Sequence, residues 1–361
     1  MGGQPFRIAA ADVEMGGEPV QDHEESPAQQ EPAPEPPAQP SNPEPAEPET
    51  PDLPAEEPAD EPVAETPEEP AEVVPADDPA EPEEDTPETP APASLSTEAD
   101  ATQTLDLELY SEHAILIDLE TNTVIAEKDP DAKIYPASMT KVMTLLVAAE
   151  NLPDLDATFT MTQAIIDPLF LSDATMAGFV NGEEVSMTDL VYGALLPSGA
   201  EATEALAQTI AGSTEGFVTL MNEKAAELGL TNTHFVNDSG LHDENHYTTV
   251  REMAVILEAA MANERCRAAL SAVSYTSAPT TQNPEGVAMI NKFLYRIGQY
   301  KLGDAVVEGA KTGFTSQAMN CCASFGIAAN GKPVVCVTAH AWTGDFCVED
   351  HVALYSTYCG D

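Results

Sequence analysis

The stretch Val306–Ala341, VVEGAKTGFTSQAMNCCASFGIAANGKPVVCVTAHA, decides the fold. It reads as three successive strands, at about Val306–Lys311, Ala318–Ala329 and Pro333–Ala341, each rich in Val, Ala, Cys or Phe. Asn330-Gly331 reads as a two-residue hairpin turn, which makes its strands antiparallel and sets Cys336 opposite Phe325. Working outward, two strands precede: His113–Asp118 (HAILID) and, across Glu120–Asn122, Thr123–Glu127. Between the early and late strands the chain reads as helix. Ser138–Glu150 has apolar positions at 3.6 spacing, with Ser138 at or next to the N-cap. About Met187–Leu196, Ala200–Ala211, Thr214–Leu228 and Val250–Ala262 follow, with Ser213 as an N-cap. Asp345 is placed to cap a last helix ending at Tyr358. Strands and helices are segregated rather than alternating. The expected class is α+β (an α/β sandwich): an antiparallel sheet flanked by helices, with an all-helical lobe inserted between its first and last strands.

The chain has 361 residues and a formal net charge of -50, which argues against nucleic acid or an anionic membrane surface as partner. The charge is unevenly spread. Residues 1–105 hold 29 acidic side chains, Arg7 as the one basic residue, and 23 of the 31 prolines. From about Glu14 to Asp100 the chain repeats Pro, Glu and Ala with few large apolar side chains, too few to offset the entropy of ordering the backbone. Residues 1–105 are therefore expected to be a disordered acidic spacer, and 106–361 the folded domain, long enough for a sizeable core. No apolar run is long enough for a membrane span, and Met1–Val20 holds no apolar signal-peptide core.

Six cysteines lie in the folded part: Cys266, Cys321, Cys322, Cys336, Cys347 and Cys359. Cys321 and Cys322 point to opposite faces of a strand. Cys322 and Cys336 are roughly 10 Å apart in the expected hairpin, beyond disulfide reach. Mostly free, buried thiols are expected. No Cys-x-x-Cys or His-x-x-x-His spacing suggests a metal, and no cofactor is implied.

Three short motifs could carry chemistry. Ser138-Met139-Thr140-Lys141 puts a hydroxyl and an amine on one face at the start of a helix. Serine needs a base to become a nucleophile, and lysine serves only when burial or a nearby cation holds it neutral. Lys311-Thr312-Gly313, at a strand end, suits a carboxylate: an ammonium, a hydroxyl, and a glycine that admits a ligand backbone. Pro197-Ser198-Gly199 places a loop serine between two helices. Singly each has a bland reading: a cap, a turn, a solvated lysine. His234, His246 and His340 read as structural, and Trp342 as packing rather than a sugar platform.

Together, in this order and context, the three resemble the motifs of the penicillin-recognising serine acyltransferases, a family of β-lactamase/transpeptidase-like fold. The resemblance is closest to the serine D-alanyl-D-alanine carboxypeptidases, and it covers most of residues 110–358. Tyr135–Thr144 (YPASMTKVMT), Val191–Ala207 (VYGALLPSGAEATEALA), Gly216–Leu241 and Glu308–Thr315 (EGAKTGFT) carry it. The resemblance implies that Ser138 is the nucleophile, Lys141 its base and Ser198 a proton relay. It implies that Lys311, Thr312 and Gly313 bind the substrate's terminal carboxylate. The oxyanion donors would be the backbone N–H groups of Ser138 and Phe314. The implied substrate is a peptidoglycan stem peptide ending in D-Ala-D-Ala, the implied inhibitors are β-lactams, and the implied location is extracellular or at the cell surface.

Two departures stand out. The family's second motif usually ends in Asn, where this chain has Ala200; Glu201 and Asn320 are the candidates to compensate. Many relatives carry a further β-rich domain and a C-terminal anchor, whereas this sequence ends at Asp361, so attachment would come from the N-terminal side. A turnover-deficient penicillin- or wall-binding protein, a DD-endopeptidase and a β-lactamase remain as alternatives. The last lacks a Glu-x-x-Leu-Asn between Ser198 and Lys311.

Overall fold

The late and early strands form one antiparallel sheet. In chain order the elements begin with β1 (His113–Asp118), β2 (Thr123–Lys128), a 3-10 turn (Ala137–Thr140) and α1 (Lys141–Asn151). The lobe follows: β3 (Thr158–Thr160), α2 (Gln163–Leu171), β4 (Glu184–Ser186), α3 (Met187–Leu195), α4 (Ala200–Ala211), α5 (Thr214–Glu227), α6 (Val250–Ala262), α7 (Glu264–Leu270), β5 (Ser274–Thr276) and β6 (Ala288–Ile290). α8 (Lys292–Ile297), β7 (Val306–Thr315), β8 (Met319–Ile327), β9 (Pro333–Ala341) and α9 (Gly344–Tyr358) complete the chain. The main sheet runs β2-β1-β9-β8-β7, and β3–β4 and β5–β6 are separate two-stranded ribbons. This is the expected α+β class with its inserted helical lobe. The computed structural model describes residues 105, 107–152 and 154–361. The expected acidic spacer lies outside them, Leu105 excepted.

Alternation along the strands divides the core into two layers. Ile115 and Ile117, Cys321, Ala323 and Phe325, and Val335, Val337 and Ala339 face α1 and the helical lobe. Leu116, Ala310, Cys322, Val334 and Cys336 face α8 and α9 on the other side. Both faces are covered, so these strands read as continuous apolar runs. Cys321 and Cys322 fall in opposite layers, as their adjacency requires. α1 is buried at every position from Lys141 to Ala148, and so sits inside the molecule rather than on its surface.

Four local expectations need correction. The β8–β9 connection is a three-residue loop: Ala328 N–H donates to Lys332 O (2.8 Å), and Gly331, at φ +85°, closes the turn. The extra residue shifts the register by one, so Cys336 faces Ser324 and Phe325 faces Val335. β7 continues to Thr315, placing Lys311-Thr312-Gly313 within the strand rather than at its end. Ser138 is not a cap; it lies inside the 3-10 turn, whose side chains make no capping bond. Thr343, not Asp345, caps α9, by accepting Phe346 N–H at 3.1 Å. Ser213 does cap α5, accepting Gly216 N–H at 3.1 Å.

All six thiols are buried and unpaired. Burial pushes Cys266 up to about 12 and Cys359 up to about 11, and raises Cys321, Cys322 and Cys336 further. Such thiols carry little reactive thiolate. The native protein is expected to resist iodoacetamide at pH 8 and to react at all six cysteines once unfolded, counted by intact mass. Labelling of several sites in the native state would contradict the burial described here.

Candidate active site

In the 3-10 turn before α1, Ser138 is the one residue that is not buried. Pro136 leads into the 3-10 turn, whose first residue, Ala137, holds the left-handed φ of +45°. A non-glycine residue there is strained, and the surrounding packing holds it. Thr140 is pinned by His246, whose Nε2 lies 2.7 Å from Thr140 Oγ1. His246 Nδ1 accepts Val236 N–H at 3.1 Å, so the ring's proton is on Nε2. Burial brings His246 down to about 4, keeping it neutral. β7 comes close to the turn at Gly313. A Cβ there would lie 2.7 Å from Pro136 O and 2.9 Å from Ser138 N, so only glycine permits this approach.

These elements enclose a cleft of ≈ 580 Å³ whose walls include Ser138, Ser198, Lys311, Thr312, Gly313 and Phe314. All three sequence motifs therefore meet. Lys141 Nζ lies 3.2 Å from Ser138 Oγ and donates to Ser239 O at 2.6 Å. Lys311 Nζ donates to Ser198 Oγ (3.0 Å) and to Thr312 O (2.8 Å). Ser198 reaches this position in the loop between α3 and α4, at the left-handed φ of +73°. Both lysines are 2% exposed. Burial draws Lys141 down to about 8, against the opposing pull of the Asp238 and Glu201 carboxylates. Burial and the neighbouring Lys141 draw Lys311 down to about 7. The arrangement can thus hold an amine without its proton beside a hydroxyl, and a second amine beside a second hydroxyl.

The structure also brings in Arg296, which the motifs did not indicate, and places Asn320 and Glu201, the candidates to compensate for Ala200. Arg296 of α8 lines the same cleft and forms an ion pair with Asp345 of α9. Asn320 of β8 lines it too, its Nδ2 donating to Ala341 O at 3.2 Å. Arg296 is far from every motif in sequence, and only the packing of α8 against β7 places it here. Ala200 is buried and donates its N–H to Thr175 O at 2.8 Å. Glu201 is fully buried, and its Oε1 accepts the N–H groups of Ala177 (2.7 Å), Gly178 (2.8 Å) and Phe179 (3.3 Å), fixing the chain next to the Thr175–Met176 wall. Trp342 is 75% exposed, so the packing reading of this residue does not hold. His234 keeps a structural contact, Nδ1 to Asn245 O at 2.6 Å.

Fold and cleft define the β-lactamase/transpeptidase-like class. A family model described as D-alanyl-D-alanine carboxypeptidase matches residues 97–343, and the chain belongs to that family. It is 29% identical over 231 residues to D-alanyl-D-alanine carboxypeptidase DacF of Bacillus subtilis (strain 168), covering 64% of this chain and 57% of that protein. It is 30% identical over 222 residues to the D-alanyl-D-alanine carboxypeptidase of Streptomyces sp. (strain K15), covering 60% of this chain and 75% of that one. The crystal structure of the Streptomyces K15 DD-transpeptidase superposes with a TM-score of 0.63 at 27% identity, over 69% of this chain and 98% of that chain.

Gly313→Ala is expected to lower the rate of penicillin acylation by on the order of 100-fold, because displacing β7 from Ser138 by about 1 Å spoils the alignment of the site. Stopped-flow acylation with a fluorescent penicillin measures this. An unchanged rate would contradict the close approach.

Proposed function

We propose that the protein is a serine D-alanyl-D-alanine carboxypeptidase that removes the terminal D-alanine from peptidoglycan stem peptides. The observation carrying this reading is the pairing of Ser138 Oγ with a buried Lys141 amine at 3.2 Å, opposite Lys311 and Ser198 in one cleft. Ser138 Oγ attacks the carbonyl carbon between the two D-alanines as its proton passes to Lys141 Nζ. The backbone N–H groups of Ser138 and Phe314 take the developing oxyanion, where one such donor is typically worth about 3 kcal/mol. As the C–N bond breaks, Ser198 passes a proton to the departing amine. Water then hydrolyses the ester. Lys311, Thr312 and Gly313 receive the terminal carboxylate, which selects a C-terminal dipeptide. A β-lactam enters by the same attack and leaves slowly.

This substrate lies outside the cytoplasmic membrane, so the catalytic domain of residues 106–361 acts at the cell surface or in the periplasm, with residues 1–105 as an acidic spacer. No helix among the described residues is long and apolar enough to cross a membrane. Ala200 favours one second reading, a penicillin-binding wall protein without turnover, since the family's second motif ends in an amide at that place.

Release of D-alanine from a synthetic pentapeptide ending in D-Ala-D-Ala separates the two. Turnover that falls to background in Ser138→Ala supports the carboxypeptidase; acylation of Ser138 by penicillin with no D-alanine release supports the binder. The rate is expected to rise with pH through about 8, because Lys141 reacts only as the neutral amine. It falls again at higher pH, where Lys311 loses its charge, a limb that the bound carboxylate moves upward from about 7. A rate that falls through pH 8 without first rising would contradict these roles.

A further inference from the structure

We propose that Asp238 is a positioning residue for Lys141, its buried carboxylate stabilising the ammonium that forms when Lys141 takes the proton of Ser138. This rests on the serine–lysine mechanism above, which leaves one need unmet. The proton transfer creates a positive charge on a side chain that is 2% exposed. The partners of Lys141 Nζ, Ser138 Oγ and Ser239 O, are neutral. Lys311, across the cleft, opposes that charge. A buried cation without an anion nearby is costly, so the site needs a carboxylate.

Two carboxylates act on Lys141 electrostatically, Asp238 and Glu201. Glu201 commits Oε1 to three backbone N–H groups and thereby holds the 177–179 segment. Its Oε2 has no hydrogen-bond partner. Only Asp238, though, adjoins the residue whose carbonyl accepts Lys141 Nζ. It is 3% exposed, and its Oδ2 has no hydrogen-bond partner. Its backbone is stitched to the same helix end as the base. The Asp238 carbonyl accepts Thr144 Oγ1 at 2.6 Å, and the next carbonyl, Ser239 O, accepts Lys141 Nζ at 2.6 Å. Thr144 is three residues beyond Lys141, on the same face of α1.

The charged and titratable groups around this pair are Glu201 and Glu204 on α4, Lys311 on β7, Cys321 on β8 and His246 in the loop before α6. Cys321 and His246 are neutral at working pH. Glu204 and burial raise Asp238 to about 7, while Lys141 and the Thr203 hydroxyl pull the other way. The carboxyl therefore gains its charge over the range in which Lys141 gives up its proton. An ionised Asp238 favours the protonated amine, so removing it must lower the pH at which Lys141 becomes neutral.

The test is the pH dependence of acylation by a fluorescent penicillin, measured on the full chain and on Asp238→Asn. The expected result is a rising limb moved by about one unit or more to lower pH, with a lower plateau because the amine is a weaker base. Thr203→Val, which removes a hydroxyl that favours the ionised carboxyl, moves the limb the same way by less, and serves if Asp238→Asn does not fold. An unmoved limb in a variant that melts with the wild type overturns the role of Asp238. Wild type that penicillin does not acylate overturns both this role and the reading it rests on, so the two failures are distinct.

Discussion

The site depends on the burial of one amine. Lys141 opens a helix that is apolar on every side, and that helix is driven into the interior by its own composition. The lysine is carried in with it. An ammonium group there loses its hydration, and the loss favours the neutral form. Hydrophobic packing of Val142, Met143, Leu145 and Leu146 thus supplies what the proposed chemistry requires: a base beside Ser138 at near-neutral pH. The Asp238 and Glu201 carboxylates pull the other way and favour the protonated amine.

Other features follow from keeping that helix end accessible from one side only. Strain at Ala137 turns the serine out of a capping role and towards the cleft. Gly313 lets β7 pass within van der Waals contact of the turn, which brings Lys311 to the opposite wall. His246, held neutral, clasps Thr140 and fixes the turn from the side of the lobe. The inserted helices thus complete a site whose other half is the sheet edge.

Much of this was legible in the sequence because it is local. The bounds of β1, α4, α6 and β9 match the expected His113–Asp118, Ala200–Ala211, Val250–Ala262 and Pro333–Ala341, since hydrophobic period and punctuation both act over a few residues. The three motifs converge because their strand and helix contexts were readable. What failed was governed by tertiary packing or by fine turn geometry. The β8–β9 register slipped by one because a three-residue loop and a two-residue one share the same Asn-Gly signal. The short ribbons and α2, α7 and α8 carry too little periodic sequence to stand out. Arg296 and the buried carboxyl of Asp238 lie outside the three motifs, and nothing adjacent to them announces a place near the site, whereas Glu201 directly follows the second motif. The residue type of Trp342 suggests packing, but it does not report whether a strand end has a neighbour to cover it.

The most direct test of this account is the charge of Lys141 itself, followed by NMR titration of the isotopically labelled lysine side chains and assigned by comparison with Lys141→Arg. A Lys141 midpoint near 8 is expected, well below that of an exposed lysine. A midpoint at the ordinary lysine value of about 10.4 would contradict it, because the amine would then be protonated when Ser138 needs a base.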